Sequence, residues 1–241
     1  MTRLANRLPP EKRDSRKMRA LFSVVAPRYD FITAAFSYGM DRRWKRAAIK
    51  HAQFAPDSLV LDLACGTGDF SRMLEDQSRV IACDLTESML QVARTHGVPN
   101  VLCADAMKLP FGDHTFDAVF VGYGMRNFPD LWSSVIEIMR VIKAGGRLVT
   151  LDFYLPESAL LRRFFLGYLY LQGAFWGAVL HRNPRIYTYI PNSLRTFVSR
   201  EQFSEILSHA GFRDIELQSY LQGGIAVHSA RVQLTPRGCL A

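Results

Sequence analysis

One stretch limits what this chain can fold into more than any other: Val60-Leu-Asp-Leu-Ala-Cys-Gly-Thr-Gly-Asp69. Leu59 to Leu63 is an apolar run broken only by Asp62, which reads as a short strand. Gly66 and Gly68 bracket Thr67, and Asp69 opens a helical pattern. The order is strand, glycine turn, helix. Glycine has no Cβ, so backbone N–H groups in such a turn can come close to a ligand. The full dinucleotide fingerprint is absent, because Ser71 stands where its third glycine belongs. A glycine pair after a strand is a weak signal alone, since a plain tight turn would also use it.

The next segment strengthens it. Arg79-Val-Ile-Ala-Cys-Asp84 reads as a second strand ending in a carboxylate, where a ribose diol can be held by paired hydrogen bonds. Asp62 and Asp69 flank the glycines, whereas a phosphate would prefer a basic or neutral turn. Carboxylates suit a cationic, phosphate-free nucleoside. S-adenosylmethionine, with its ammonium, sulfonium and ribose, fits this better than NAD.

Strands and helices then alternate. Strands are expected over Leu59–Leu63, Val80–Cys83, Val101–Cys103, Phe116–Val121 and Arg147–Phe153. Helices are expected over Asp69–Glu75, Glu87–Thr95 and Leu131–Ile142, with Gly145-Gly146 as a turn. This alternation argues a doubly wound, mostly parallel sheet with ligands at the carboxyl ends of its strands. Ser199 and Gln202 form a capping box for a helix over Arg200–Ala210, which Gly211 ends. Asp214–Leu221 and Ile225–Val232 flank Gly223-Gly224 as a closing antiparallel hairpin, which brings the expected sheet to seven strands.

The front of the chain differs in charge. Residues 1–50 hold 13 Lys and Arg against 4 Asp and Glu, whereas the remaining residues hold 17 against 18. All of the net +8 therefore lies at the front. Nucleic acid or an anionic membrane surface could attract such a segment, and a solvated arm needs no partner. Residues 1–17 read as a loose basic arm, Met18–Ala26 as a short helix stopped by Pro27, and Arg42–Gln53 as another helix. The intervening segment to Trp44 mixes aromatics with charges and is expected to cover the ligand.

Phe164 to Leu180 is a 17-residue run without a charged side chain. It only reaches the lower limit for spanning a bilayer. A helical insertion offering apolar surface to a greasy ligand or a membrane face is the preferred reading, beside a spanning or a buried core helix. Arg185–Arg195 reads as irregular and aromatic. The expected organisation is a basic arm and helical cap over 1–50, and a catalytic domain over 51–241 with an insertion near 155–195. The four cysteines have no metal-ligand spacing, and buried, reduced thiols in a cytoplasmic protein are expected. No secretory signal is visible.

With these residues in view, the chain resembles the bacterial C-methyltransferases of menaquinone and ubiquinone biosynthesis. The matching segments include Ala26-Pro-Arg-Tyr-Asp30, Ser37-Tyr-Gly-Met-Asp-Arg-Arg-Trp44, Leu61–Asp69, Asp105-Ala106 with Leu109-Pro-Phe111, Gly124-Met-Arg-Asn127, Arg140–Lys143 and Gly224-Ile-Ala-Val-His228. Pro-Arg-Tyr-Asp together with Gly-Met-Arg-Asn is far more specific than the glycine turn. The chain departs from the family pattern at Gly122 (usually Ser), Met125 (usually Leu), Ala144 (usually Pro), and Asp152 and Tyr154 (usually Glu and Ser). Gly122 would remove a hydroxyl facing the cofactor.

The resemblance implies a class I methyltransferase, a Rossmann-like α/β fold with a seven-stranded sheet. It implies S-adenosyl-L-methionine as methyl donor, no metal, and a prenylated hydroquinone as acceptor. The expected reaction is demethylmenaquinol to menaquinol. The ubiquinone-pathway benzoquinol, or another lipid-like acceptor, is the alternative. Thr67 with the Gly66 and Gly68 backbone would hold the methionine end, beside Asp62 and Gly122. Asp84 and Leu85 would border the ribose. Asp105 and Ala106 would border the adenine, and Met89 either packs on it or fills the core.

Methyl transfer here is an in-line displacement at an already activated sulfonium, so the protein's work is positioning and water exclusion. A phenol has a pKa of about 10, so its ring carbon becomes a nucleophile only with help. Arg126 is expected to stabilise the phenolate, since a guanidinium cannot be the base. Asn127 would orient it, and Tyr29 or a water would relay the proton. His228 is the alternative base, on its ordinary pKa. The expected surroundings are the cytoplasm with contact at the inner face of the cytoplasmic membrane, an open question of homo-oligomer formation, and no nucleic acid. A nucleic-acid-binding module on the same fold remains a third reading, carried only by the basic front.

Overall fold

The computed structural model describes residues 15–233, so most of the expected basic arm and Cys239 lie outside the described residues. Its strands are β1 (Leu59–Leu63), β2 (Arg79–Asp84), β3 (Val101–Cys103), β4 (Phe116–Gly122), β5 (Ile142–Phe153), β6 (Phe212–Tyr220) and β7 (Ile225–Val232). They form one sheet in the order β3-β2-β1-β4-β5-β7-β6. The pairs from β3 to β5 are parallel, and β7 runs antiparallel to both β5 and β6. The order reverses between β1 and β4, and there the carboxyl ends of neighbouring strands splay apart and leave a crevice.

The helices are α1 (Ser15–Val25), α2 (Tyr29–Ser37), α3 (Asp41–Ala52), α4 (Asp69–Glu75), α5 (Glu87–Thr95), α6 (Leu131–Val141), α7 (Ala159–His181), α8 (Tyr189–Thr196) and α9 (Arg200–Ala210). The central strands β1 and β4 are buried along most of their length, because helices cover both faces. One core joins Val60, Phe120 and Leu151 to α2, α3, α4 and α8. The other joins Leu61, Val119 and Leu148 to α6 and α9. The capping box of α9 is present in both directions, and Gly211 ends that helix at φ +111°.

Three expectations shift. Gly145-Gly146 is not a turn between helix and strand. Strand β5 starts at Ile142, pairs it with Phe116, and absorbs the glycines in a bulge before Arg147 pairs with Ala118. The segment expected to be irregular contains α8, with Pro191 in its first turn, where no backbone N–H needs an intrahelical partner. Cys65 and Cys83 are buried as expected, but Cys103 is exposed.

The uncharged run lies within α7, which spans 23 residues and is capped by Ser158. It is neither a core helix nor a spanning one. Only Leu169, Gly173 and Gly177 are buried in it, and no helix among the described residues is long and apolar enough to cross a membrane. Its glycines admit the returning chain: a Cβ at Gly177 would lie 2.5 Å from the Asn183 carbonyl oxygen. On the opposite side Leu160, Phe164, Leu171, Phe175 and Val179 are exposed.

Candidate active site

The glycine turn is held from two sides. The Gly66 N–H donates to Asp84 Oδ2 at 3.0 Å, and the Thr86 N–H donates to Asp84 Oδ1 at 2.8 Å. Asp84 thus fixes the turn while each oxygen keeps acceptor capacity for a ligand. Burial raises its pKa, against the hydrogen bonds from those N–H groups. From the other side the Thr67 hydroxyl donates to Asp30, and His96 Nδ1 lies 3.1 Å from the Thr67 carbonyl oxygen. Ala64, just before the turn, has φ +57°, a strained value for a residue with a Cβ. Gly124 allows the β1 and β4 loops to meet: a Cβ there would lie 2.8 Å from that of Ala64.

Three neighbouring spaces lie at these strand ends. The first cavity is bordered by Ala64, Gly66, Asp84, Leu85, Asp105 and Ala106, and Met18 and Phe22 of α1 lie over it. Met89 is 2% exposed and part of the core, and it also borders this cavity. Asp105 Oδ1 accepts from the Met107 N–H at 2.9 Å, which leaves its second oxygen for a ligand amine. Asn127 lies in this wall too. Its amide donates to the Tyr123 carbonyl oxygen at 3.2 Å, and its Oδ1 is buried with no protein partner. A buried orphan acceptor facing a cavity fits a ligand that brings donors. An adenosine supplies them.

The second space is an aromatic chamber walled by Ile32, Phe36, Tyr123, Phe153, Tyr189 and Ile190. Tyr29 and Arg126 also line it. The third is a small recess beside Thr67, where Lys45, Asp62 and Asp69 meet. Tyr29 and Tyr123 border all three.

Arg126 is 4% exposed and is paired with Asp152, which is completely buried. Its guanidinium also donates to the Tyr123 carbonyl oxygen at 2.7 Å. Asp152 further accepts from the backbone N–H groups of Arg126 and Phe153, so the pair is locked in place. A phenolate in the chamber would therefore meet a guanidinium whose charge is already shared. Burial pushes the Tyr29 phenol well above its ordinary pKa, with Tyr189 adding to the shift and the Arg126 charge opposing it. Tyr29 is thus a neutral hydrogen-bonding group rather than a base.

Asp62 is 1% exposed and accepts from the Ser71 hydroxyl at 2.6 Å. Burial lifts its pKa to about 7, against that hydrogen bond and the charge of Lys45. At Gly122 a Cβ would lie 2.7 Å from the Phe70 ring, so a larger residue would meet that ring first. His228 and Tyr154 are not in the site. His228 is completely buried on β7, with Nε2 3.0 Å from the Arg200 carbonyl oxygen, and burial lowers its pKa to about 4. Tyr154 packs on Phe197 and His228 in the core on the α9 side. A larger, open groove between α3 and α4 carries Arg42, Arg46, Lys50 and Arg72, and its lining includes no end residue of β1, β2 or β4.

Sequence reasoning missed Lys45, Tyr123, Asp152 and Tyr189. Tyr123 had a visible signal: glycines at 122 and 124 flank it after a strand, the pattern already noted around Thr67. Lys45 directly follows the Trp44 that closed a quoted motif. Tyr189 had no local signal.

The description of one protein family, the ubiE/COQ5 methyltransferase family, matches residues 11–231. A demethylmenaquinone methyltransferase of Corynebacterium urealyticum is 32% identical over 219 residues, covering 90% of this chain and 95% of that protein. The ubiquinone/menaquinone biosynthesis C-methyltransferase UbiE of Geobacter sulfurreducens is 35% identical over 209 residues, covering 82% of this chain and 81% of that one. Among solved structures, a SAM-dependent methyltransferase of Thermotoga maritima, described as a possible histamine N-methyltransferase, superposes with a TM-score of 0.63 at 20% identity. That match covers 89% of this chain and 99% of the other, and it speaks for the fold alone.

Proposed function

The chain belongs to the ubiE/COQ5 methyltransferase family, and on that premise we propose that it moves a methyl group from S-adenosylmethionine to a ring carbon of a prenylated hydroquinone, demethylmenaquinol to menaquinol. The observation that carries this reading is the junction at Tyr29 and Tyr123. On one side lies a cavity bordered by the carboxylates of Asp84 and Asp105, on the other a chamber walled by aromatic side chains. A sulfonium at the junction would present its methyl to a ring in the chamber, and walls of this kind exclude the water that would compete. The bound donor supplies the electrophilic methyl.

In this reading Asp84 takes the ribose hydroxyls with Leu85 beside them. Asp105 and Ala106 border the adenine, and Asn127 offers its unpaired Oδ1 to the donor. Asp62, Gly66, Thr67, Gly68 and Gly122 surround the methionyl end. Arg126, its charge shared with Asp152, steadies the oxygen as the phenol loses its proton. Tyr29, kept protonated by burial, or a water in its place, relays that proton to solvent water by donating one hydrogen bond as it accepts another. Residues 1–50 act as arm and cap over the methyltransferase domain of 51–241.

The isoprenoid tail supports a place at the inner face of the cytoplasmic membrane. The exposed apolar face of α7 would lie on an anionic bilayer, near the chamber: α7 meets α2 through Phe31 against Trp176 and Tyr38 stacked on Tyr168.

A second acceptor is kept on one observation, that relatives named for both quinone pathways match over most of the chain. The test is methyl transfer from labelled S-adenosylmethionine to reduced demethylmenaquinone, beside the reduced ubiquinone precursor, with products resolved by mass spectrometry. A methylated naphthoquinol ring is the expected product. Transfer to the ubiquinone precursor alone would replace the acceptor, and no transfer to either would overturn the reading.

A further inference from the structure

We propose that Lys45 binds the carboxylate of the donor's methionyl tail, in the recess beside Thr67. The proposal rests on the S-adenosylmethionine reading above and adds a residue to it. Lys45 projects from α3 and is 4% exposed. Its Nζ donates to Asp41 Oδ2 at 3.1 Å and to Asp69 Oδ2 at 2.9 Å. It also lies 5.9 Å from the ring centroids of both Phe70 and Tyr123.

Stability does not explain a lysine here. Burying an ammonium costs several kcal/mol, which its partners repay only in good geometry. Asp41 lies one helical turn away and could be paired on the helix surface with no burial. The chain instead draws the ammonium inward to a wall it shares with Asp62, Gly66 and Thr67. Among the described residues lining that recess, Lys45 is the one basic side chain. An ammonium has three donors, and Asp41 and Asp69 take two. The third suits an acceptor that arrives with the ligand.

The methionyl tail is a zwitterion, and it needs opposite charges a few ångströms apart. Asp62 and Asp69 suit its ammonium, and Lys45 suits its carboxylate. Among the described residues, the one basic side chain lining the adenosine cavity is Arg19 of α1, which is exposed, whereas Lys45 is buried in the recess between carboxylates. The geometry therefore also sets direction: adenosine in the first cavity, the amino-acid end in the recess, and the sulfonium between them beside Tyr29 and Tyr123.

Titration calorimetry with two ligands tests this. One is S-adenosylmethionine, and the other is its decarboxylated analogue, which keeps the adenosyl group, the sulfonium and the amine. Charge-assisted hydrogen bonds of this kind predict that the protein binds the carboxylate-bearing ligand about 10- to 100-fold more tightly. In Lys45→Met that preference collapses toward one, and in Lys45→Arg much of it survives. Should Lys45→Met fail to fold, the pair of ligands on the unaltered protein and on Lys45→Arg still decides. Equal binding of both ligands by the unaltered protein overturns the proposal alone. So does a folded Lys45→Met that keeps the full preference. Binding of neither ligand overturns the donor reading with it.

Discussion

Asp84 carries two duties that a single substitution separates poorly, and this sets what its loss should do. It holds the Gly66 and Thr86 N–H groups and, in the proposed reading, the ribose. Asp84→Ala should weaken S-adenosylmethionine binding by about 10- to 150-fold, the worth of roughly 1.5–3 kcal/mol for charge-assisted hydrogen bonds. Unchanged affinity by calorimetry would remove it from the site. Arg126→Lys, by contrast, keeps a cation opposite Asp152 and should spare donor affinity while losing turnover. Asp84 was legible because a carboxylate at a strand tip is a local signal. His228 misled because an ordinary imidazole pKa suggests a base, and only burial shows otherwise. Its folded pKa of about 4 lies below the unfolded value of 6.5, so the unfolded chain takes up a proton first as pH falls. His228 thus contributes stability above pH 6.5 that is lost on descending toward its folded pKa. Between pH 7 and 4.5 the protein should lose about 2–3 kcal/mol more than His228→Gln in denaturant titrations. Parallel curves would mean that His228 is not held neutral.

Elements with a strong internal pattern were readable from the chain. The limits of α4 and α5 agree with the pattern to the residue, because each lies between a glycine turn or strand tip and a polar break. Helix α8 was not readable, since its proline and aromatics resemble a loop until α7 packs beside it. Helix α7 shows the same limit in another form. Hydropathy marked it as apolar, yet its exposure depends on which side faces Tyr187. With Leu171 72% exposed and Phe164 67%, its outer face is unusual for a water-facing helix. Exposed Arg162 and Arg163 near one end, and Arg182 and Arg185 near the other, add positive charge. Each cation near an anionic bilayer is worth about 1 kcal/mol. Co-sedimentation with anionic vesicles should therefore exceed that with neutral ones, and Leu171→Glu should reduce it without lowering the melting temperature. Equal recovery with and without vesicles would contradict a membrane role for this face.

At the scale of the molecule, the mostly parallel sheet followed from the alternation of strands and helices and the closing hairpin from the segments flanking Gly223-Gly224, whereas the strand order appears only in the structure. The site did not follow as fully. Its first cavity is built by segments adjacent in sequence to the strands, and those segments carried visible motifs. Its second chamber draws Ile32, Phe153 and Ile190 together from three distant parts of the chain, and no local pattern announces such a meeting. The proposed reaction needs Tyr29 and Tyr123, which border both spaces, to bring a methyl donor against an apolar acceptor. A crystal structure with S-adenosylhomocysteine tests it most directly. Ribose hydroxyls are expected within hydrogen-bond distance of Asp84, adenine beside Ala106, and the sulfur beside Tyr29 and Tyr123, facing the chamber. A nucleoside lodged instead in the basic groove between α3 and α4, or a sulfur turned away from Tyr29, would contradict it.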